Sequence, residues 1–470
     1  MIEDTYASPF SWRYGDESLR RLFSEHERRR MWRAVWVALA EAQADAGLIT
    51  RAEVDDLRAH AGDVDLAAAL EIERDIGHDL MAEIRVYARQ ATIGGGKLHL
   101  GATSMDIEDT VEILRMRRAL DALRGALKTL LGAFAEQIRA HADRVCMGYT
   151  HLQPAEPTTL GYRLAFYAQD LLIDDEQLEV AYHSLRAKGI RGAVGTSASY
   201  TRLLAGTGHS PEDQERAVLG AFGLESRDVS TQTYPRKVDY LVLAALAGLG
   251  ASLSKFAADI RVLSSAGFGE VFEPVGRNQV GSSAMPFKRN PVMCERIDSL
   301  ARLLPGFADV AWQNAATNYL ERTLDDSANR RTILPEAVLC ADELLRLATR
   351  VVRGLRVDER RMVENLRTYG PFAGTEAVMM DAAKAGGDRG VLHEAIREHA
   401  MTAYETLAAG GSNPLGRLLA DDERITNYVD PAEIRERLEP ASHVGDAPER
   451  ARRVAERIEH LARGANGVTS

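Results

Sequence analysis

The sequence predicts an all-α protein of three helical domains, with a central bundle of very long helices. Three observations carry that prediction. Strand-like alternation is nearly absent, whereas apolar residues at helical spacing recur along most of the chain. Between Asp106 and Ala140, the residues Ile113, Met116, Leu120, Leu123, Leu127, Leu130 and Phe134 step by three and four, a heptad seam that needs another helix along it. Finally, Pro235 to Ser265 is apolar nearly all round in its middle and rich in Ala and Gly, as in a helix buried on every side.

Taken in order, Ser24 to Ala46 opens with a Ser24-x-x-Glu27 capping box and sets Trp32, Val35, Trp36 and Leu39 on one face before Gly47 ends it. Thr50-x-x-Glu53 opens a short second helix that closes near Gly62. Helical pattern resumes from about Asp65 to Gln90 and breaks at Gly94-Gly95-Gly96. That glycine run is no dinucleotide fingerprint, since it lacks the GxGxxG spacing and follows no strand. The helix from Asp106 to Ala140 is roughly 50 Å long at ~1.5 Å per residue. After a turn at Pro154 and Pro157, Thr158 to Ala187 places Leu160, Leu164, Tyr167, Leu171, Leu178 and Leu185 on one side, and Gly189 closes it. Gly267, Gly269, Gly276 and Gly281 then read as a mobile lid. Val292 to Tyr319 is helical with a kink or break at Pro305-Gly306, and Arg331 to Arg353 follows with Pro335 in its first turn. From Val357 the helices are shorter and more charged, broken at Gly370-Pro371, Gly386-Gly387 and Gly410-Gly411. The expected domains are 1–104, 105–355 and 356–470.

Composition narrows the function. A chain of 470 residues with 45% apolar and 27% charged residues is that of an ordinary globular protein with a large core. A net charge of −11 argues against a nucleic-acid or membrane-surface binder. Cys146, Cys294 and Cys340 are far apart and form no CxxC pair, so neither disulfides nor a zinc-thiolate site is expected. With no secretory signal, and with a longest apolar run (Leu241 to Ala251) about half of a membrane span, the expected setting is cytoplasmic. His393-Glu394-x-x-Arg397 misses a zinc-protease helix because position 397 is arginine; it reads as structural, and no metal is expected.

The chemistry-bearing residues lie where the helical pattern stops. Gly281-Ser282-Ser283-Ala284-Met285-Pro286-Phe287-Lys288-Arg289-Asn290-Pro291 must be a loop, because its prolines remove donors and push the preceding residues out of the α region. Pro291 suits the first position of the helix from Val292, whose free amides, with Lys288 and Arg289, favour an anion. Thr150-His151-Leu152-Gln153-Pro154-Ala155-Glu156-Pro157 offers a histidine that titrates near neutrality. Leu98-His99-Leu100-Gly101-Ala102-Thr103-Ser104 puts hydroxyls and amides at the start of the long helix, where a carboxylate would sit, or where Ser104 or Asp106 would serve as a plain cap. Arg13-Tyr14 and Glu321-Arg322 through Asp326-Ser327 to Arg330-Arg331 carry arginines with planar forked donors; taken singly, such an arginine-rich helix start reads as a solvated face.

The loop ending at Pro291 resembles the signature of the fumarase/aspartase superfamily, lyases that make fumarate by β-elimination, and is nearest to its adenylosuccinate lyase family. Thr150 to Pro157 and Arg322 to Arg331 resemble elements of the same family, and the likeness runs from Arg13 to about Arg353 with weaker features beyond. The resemblance implies the same helical fold, a homotetramer with active sites shared between subunits, a small nucleotide substrate, and no cofactor. Loops at alternate ends of a bundle roughly 45–50 Å long need not meet within one chain, which suits sharing across a symmetric assembly. The implied reaction releases fumarate from adenylosuccinate and from succinylaminoimidazole carboxamide ribotide. The implied general acid is His151, and the base is Ser282, activated by Lys288 and loop amides; Ser283 is the rival on sequence grounds. Lys288 and Asn290 would hold the reacting carboxylate, Thr150 the succinyl group, and Thr103 and Ser104 the fumarate-forming end, with His99 nearby. Gln232 matches a substrate-holding glutamine. Arg13, Tyr14, Arg322, Ser327 and Arg331 would hold the phosphate, with Arg296 near the base.

One departure stands out. Gly77-His78-Asp79 replaces the family's usual Arg-His-Asp; His78 would still pair with substrate or with His151, beside Asp79, but the arginine contact is gone. That leaves open another fumarate-releasing lyase acting on a related N-succinyl compound. An inactive structural homologue is opposed by the presence of His151, Ser282 and Lys288.

Overall fold

Helix starts and stops follow local chemistry in the computed structural model, which describes residues 5–276, 285 and 287–466. The chain divides into two units, one formed by Met1–Ala126, Asp174–Ala251 and Ser299–Leu345, the other by Leu127–Ile173, Ser252–Asp298 and Arg346–Ser470. The longest helices contribute residues to both.

In the first unit, α1 (Glu25–Asp45) begins where the Ser24 side chain accepts the Glu27 N–H. Trp32, Val35, Trp36 and Leu39 are at most 2% exposed, as the spacing requires. The Thr50–Glu53 capping box opens α2 (Arg51–Ala59) with both of its hydrogen bonds. The run from Asp65 to Gln90 is two helices rather than one, α3 (Leu66–Ile76) and α4 (Asp79–Gln90). Gly77 stands between them at φ 68°, the left-handed position at which helices commonly end on glycine. His78 caps α4 through its side chain. The departure from arginine at position 77 thus coincides with a backbone conformation that favours glycine.

The 38-residue α5 (Ser104–His141) is the longest helix among the described residues. All seven seam residues from Ile113 to Phe134 are at most 1% exposed. In the second unit its end is followed by a β-hairpin, β1 (Val145–Thr150) with β2 (Gln153–Thr159), where a turn around two prolines was expected. Pro154 and Pro157 are tolerated in β2 because a two-stranded ribbon leaves the outer edge of each strand unpaired. Next come α6 (Leu160–Ser184) and α7 (Lys237–Leu263). By length and composition α7 could cross a membrane, yet Val242, Leu243, Leu246, Leu249, Leu253 and Phe256 are at most 1% exposed, as in a core helix. Phe134, Phe256 and Tyr167 pack edge to face at centroid distances of 5.3 and 5.4 Å.

Two short helices, Ala198–Leu203 and Pro211–Gly220, occupy a stretch with no helical expectation. The break expected at Pro305-Gly306 falls instead at Arg302, between α8 (Val292–Ala301) and α9 (Leu303–Thr317). Pro305 then sits in the first turn of α9, where an absent N–H costs nothing. The next helix, α10 (Ser327–Arg353), starts four residues before Arg331, so Pro335 lies inside it. A second ribbon pairs Val271–Phe272 with Arg356–Val357. The C-terminal helices enclose a core of Val378, Leu392, Leu415, Leu419, Ile425 and Ile434.

Candidate active site

In the second unit, His151 and Leu152 form the two-residue turn of the hairpin, between the paired Thr150 and Gln153. Both have positive φ, 53° and 60°. This is the geometry of a type I′ turn, which normally demands Asn-Gly. A left-handed non-glycine residue costs about 1–3 kcal/mol, and such strain clusters at functional sites. The turn leaves His151 exposed at the tip. The Tyr149 hydroxyl donates to Glu270 Oε1 at 3.1 Å, and its ring meets Phe268 edge-on at 4.8 Å, bracing the hairpin behind His151.

The helix start after the signature loop differs from expectation. The amides of Met293 and Cys294, read as free donors for an external anion, donate to the buried Glu273 carboxylate at 2.9–3.1 Å. The protein's own anion caps α8, so its N-terminus is not open to a ligand. Lys288 is exposed, and its amide donates to the Met285 carbonyl at 3.0 Å. Asn290 is partly buried just before Pro291, and Arg296 lies on α8. Ser282 and Ser283 lie outside the described residues.

In the first unit, the start of α5 is organised by Asp106, which is fully buried. Its carboxylate accepts the Thr103 amide at 3.0 Å, the Arg191 and Gly192 amides at 3.1 Å, the Tyr200 hydroxyl at 3.3 Å and the Lys188 ammonium. Asp106 therefore takes the capping role, and the Thr103 hydroxyl has no hydrogen bond among the described residues. The Ser104 hydroxyl lies 3.5 Å from His78 Nε2. Because His78 Nδ1 accepts the Met81 amide at 3.4 Å, Nε2 carries the proton. His99 is set at φ 62° with its Nδ1 accepting the Trp36 indole N–H at 3.1 Å, so its Nε2 is also the donor. Burial pushes His99 down to about 4, with His78 adding to the shift and Asp106 opposing it, so the ring is neutral at physiological pH.

Asp79 joins two arginines, accepting Arg28 Nη2 at 2.6 Å and Arg331 Nη2 at 2.7 Å on the same oxygen. Burial alone would raise its pKa; the Arg331 hydrogen bond and both guanidinium charges hold it below the usual carboxylate value. Arg322 donates to Asp326 at 2.7 Å, and Asp326 also accepts from the buried Arg236, which bridges to Asp109. The Gln232 amide donates to the Glu321 carbonyl at 3.2 Å, tying the glutamine loop to the arginine segment. These networks border one polar cavity of about 80 Å³ lined by Arg28, Glu108, Asp109, Ser327, Arg330 and Arg331 among others.

The structure thus brings together His78, Asp79, Ser104 and Arg331, and separately Gln232 with Arg322. It does not bring Arg13 and Tyr14 to Arg331 within one chain. Gly15, next to them, packs on Leu339 of α10 and donates to Glu343, two turns or more along the helix from Arg331. The residues missed from the sequence are Arg28 and Glu108, and Asp106 was read only as a possible cap. Arg28 sits in an ordinary-looking Arg28-Arg29-Arg30 run, and only tertiary contacts single it out. The described residues present imidazoles, hydroxyls and guanidinium groups in one unit, and an exposed imidazole with Lys288 in the other. The first set can bind an anion at several points, and the second can exchange a proton.

Comparison with known proteins places the chain in a family. Residues 7–306 match the family described as "Lyase", and residues 371–454 match "Adenylosuccinate lyase C-terminus". The chain is 36% identical to the adenylosuccinate lyase of Schistosoma mansoni over 424 residues, 89% of this chain and 88% of that protein. It is 36% identical to the adenylosuccinate lyase of Schizosaccharomyces pombe over 457 residues, 95% and 93% of the two. Among solved structures, a fumarate lyase from Mesorhizobium sp. BNC1 superposes with a TM-score of 0.83 at 25% identity, covering 96% of this chain and 99% of that one. The 3-carboxy-cis,cis-muconate lactonizing enzyme from Pseudomonas putida gives 0.84 at 26% identity, with the same coverage. The fold is that of the fumarase/aspartase superfamily, and the chain is a lyase belonging to the adenylosuccinate lyase family.

Proposed function

We propose that the protein cleaves adenylosuccinate to AMP and fumarate, and succinylaminoimidazole carboxamide ribotide to its free carboxamide and fumarate, in the purine nucleotide pathway of the cytoplasm. Ser282, activated by Lys288, takes a proton from the carbon beside a carboxylate. The electron pair of that C–H bond becomes the new C=C bond as the C–N bond breaks, and His151 donates a proton to the departing nitrogen. Lys288 and Asn290 stabilise the charge that builds on the carboxylate; Thr150, Thr103, Ser104 and Gln232 orient the succinyl part. His99 and His78 donate from their Nε2 atoms. Arg331, Arg322 and Ser327 hold the phosphate, with Arg296 near the base. Arg13 and Tyr14 reach this end from a neighbouring copy in a homotetramer, which accounts for their distance from Arg331 along α10.

The observation that carries this reading is the strained placement of His151. A histidine and a leucine occupy a turn that glycine would fill without cost, which supports a role for the imidazole at the tip. The test is turnover of adenylosuccinate by the pure protein, followed by ultraviolet absorbance and fumarate release. Ser282→Ala and His151→Ala should each lower kcat by about 10²–10⁴-fold while retaining substrate binding. An active Ser282→Ala variant would move the base to Ser283. Turnover of a different succinyl compound in place of adenylosuccinate would defeat the substrate assignment, and a fully active monomer in light scattering would defeat the shared site.

A further inference from the structure

The cavity in the first unit contains a group that the proposed reaction does not use. Glu108, on the second turn of α5, lines it beside Ser327, Arg28 and Arg331, and makes no hydrogen bond or ion pair among the described residues. Its charged neighbours come from four helices, and most are already committed. On α1, Glu25 pairs with Arg28 at 3.3 Å. On α5, Asp109 pairs with Arg236, and Glu112 with Arg115 at 3.3 Å. On α10, Arg330 donates to Asp239 and to the Tyr234 hydroxyl at 2.8 and 2.6 Å. That leaves Arg331, which among the described residues bonds only the Asp79 oxygen from α4, and Arg28, which bonds the same oxygen and Glu25 but whose Nε has no hydrogen-bond partner among the described residues.

We propose that Glu108 couples binding of the substrate's phosphate to pH: protonated, it leaves the cavity faces of Arg28 and Arg331 to the phosphate, and ionised, it occupies them itself and repels the ligand. The proposal rests on the reading of Arg331 and Ser327 as phosphate-binding residues. It names a selectivity and regulatory role for a side chain that touches neither reacting carbon nor leaving nitrogen. Two negative groups cannot both be satisfied by one pair of guanidiniums in a cavity of about 80 Å³. The switch falls in a useful range, because burial raises Glu108 to about 8, the Asp79 charge adding to the shift and Arg28 and Arg331 opposing it. The direction follows from linkage. The ligand prefers the protonated form, so binding takes up a proton, and affinity falls as pH rises through the free-state value. A phosphate monoester is already doubly ionised there, its second ionisation lying near ~6, so the ligand's own charge is constant across the window.

The test is calorimetric titration of the full-length protein with AMP at pH 7, 8 and 9, in buffers of different ionisation enthalpy. The wild type should bind about tenfold more weakly at pH 9 than at pH 7 and take up about half a proton per site at pH 8. Glu108→Gln, a neutral isostere, should abolish both the weakening and the uptake. A wild-type affinity that stays flat from pH 7 to 9 overturns the proposal whether or not the variant folds, as does a Glu108→Gln protein that keeps the pH dependence, or failure of the wild type to bind AMP. Adenylosuccinate turnover in the same samples separates the two readings. Turnover with flat AMP binding removes the role of Glu108 alone. Absent turnover with pH-dependent, Gln-sensitive AMP binding removes the reaction and leaves the role standing.

Discussion

His99 shows how a single buried ring writes a pH dependence into the fold. The unfolded chain's imidazole titrates near ~6.5, whereas burial takes the native one down to about 4. Between those values the unfolded chain binds the proton and the native one does not, so the stability due to this group is complete above the upper value and is lost as pH falls through the lower one. The loss at pH 5 relative to pH 7 should be about 2 kcal/mol, and His99→Gln should remove that share; urea denaturation of both proteins at the two pH values measures it. Leu152 supports a second expectation. It is exposed and left-handed, so its side chain contributes strain without core packing. Leu152→Val, β-branched at a positive φ, should lower stability by about 1 kcal/mol, while Leu152→Gly should not lower it, as thermal denaturation would read.

Among the elements, helix starts decide where ligands are excluded. Four amides at a helix N-terminus read from sequence as an anion site, but Glu273, some twenty positions upstream, has no local signature that places its carboxylate there. Glu273→Ala should cost about 2–3 kcal/mol, because it unpairs two buried amides and removes a charged cap. Hydrogen exchange at Met293 and Cys294 should accelerate in the same variant, and unchanged exchange would sink the capping account. The start of α5 shows the converse. Asp106 was legible as a possible cap, but its further hold on Lys188, Arg191, Gly192 and Tyr200 depends on a loop more than eighty residues away. The hairpin was invisible for another reason: Pro154 and Pro157 argue against a strand, and only an unpaired edge makes them acceptable.

On the scale of the molecule, one helix leaves a row of apolar residues uncovered. Tyr162, Phe166, Ile173 and Val180 are 41–64% exposed on α6 and, at steps of four and seven, lie on one face of it. If the proposed tetramer buries this face, Ile173→Arg with Val180→Arg should yield smaller, folded species in light scattering with helical circular dichroism retained; an intact tetramer would show that the face lies elsewhere. The three cysteines are free and buried, with burial raising the Cys146 thiol to about 11. The sequence by itself determined the helical class, the heptad seam from Ile113 to Phe134, the Ser24 cap and the Thr50 capping box. Each of those is set by neighbours within one or two turns, so its signal is local. Tertiary structure alone decided that Asp79 joins Arg28 to Arg331, that Glu273 closes the α8 terminus, that His151 sits on a left-handed turn, and that Glu108 faces a cavity with no partner among the described residues. Those depend on which distant charges share a buried space, and spacing along one chain carries no record of that.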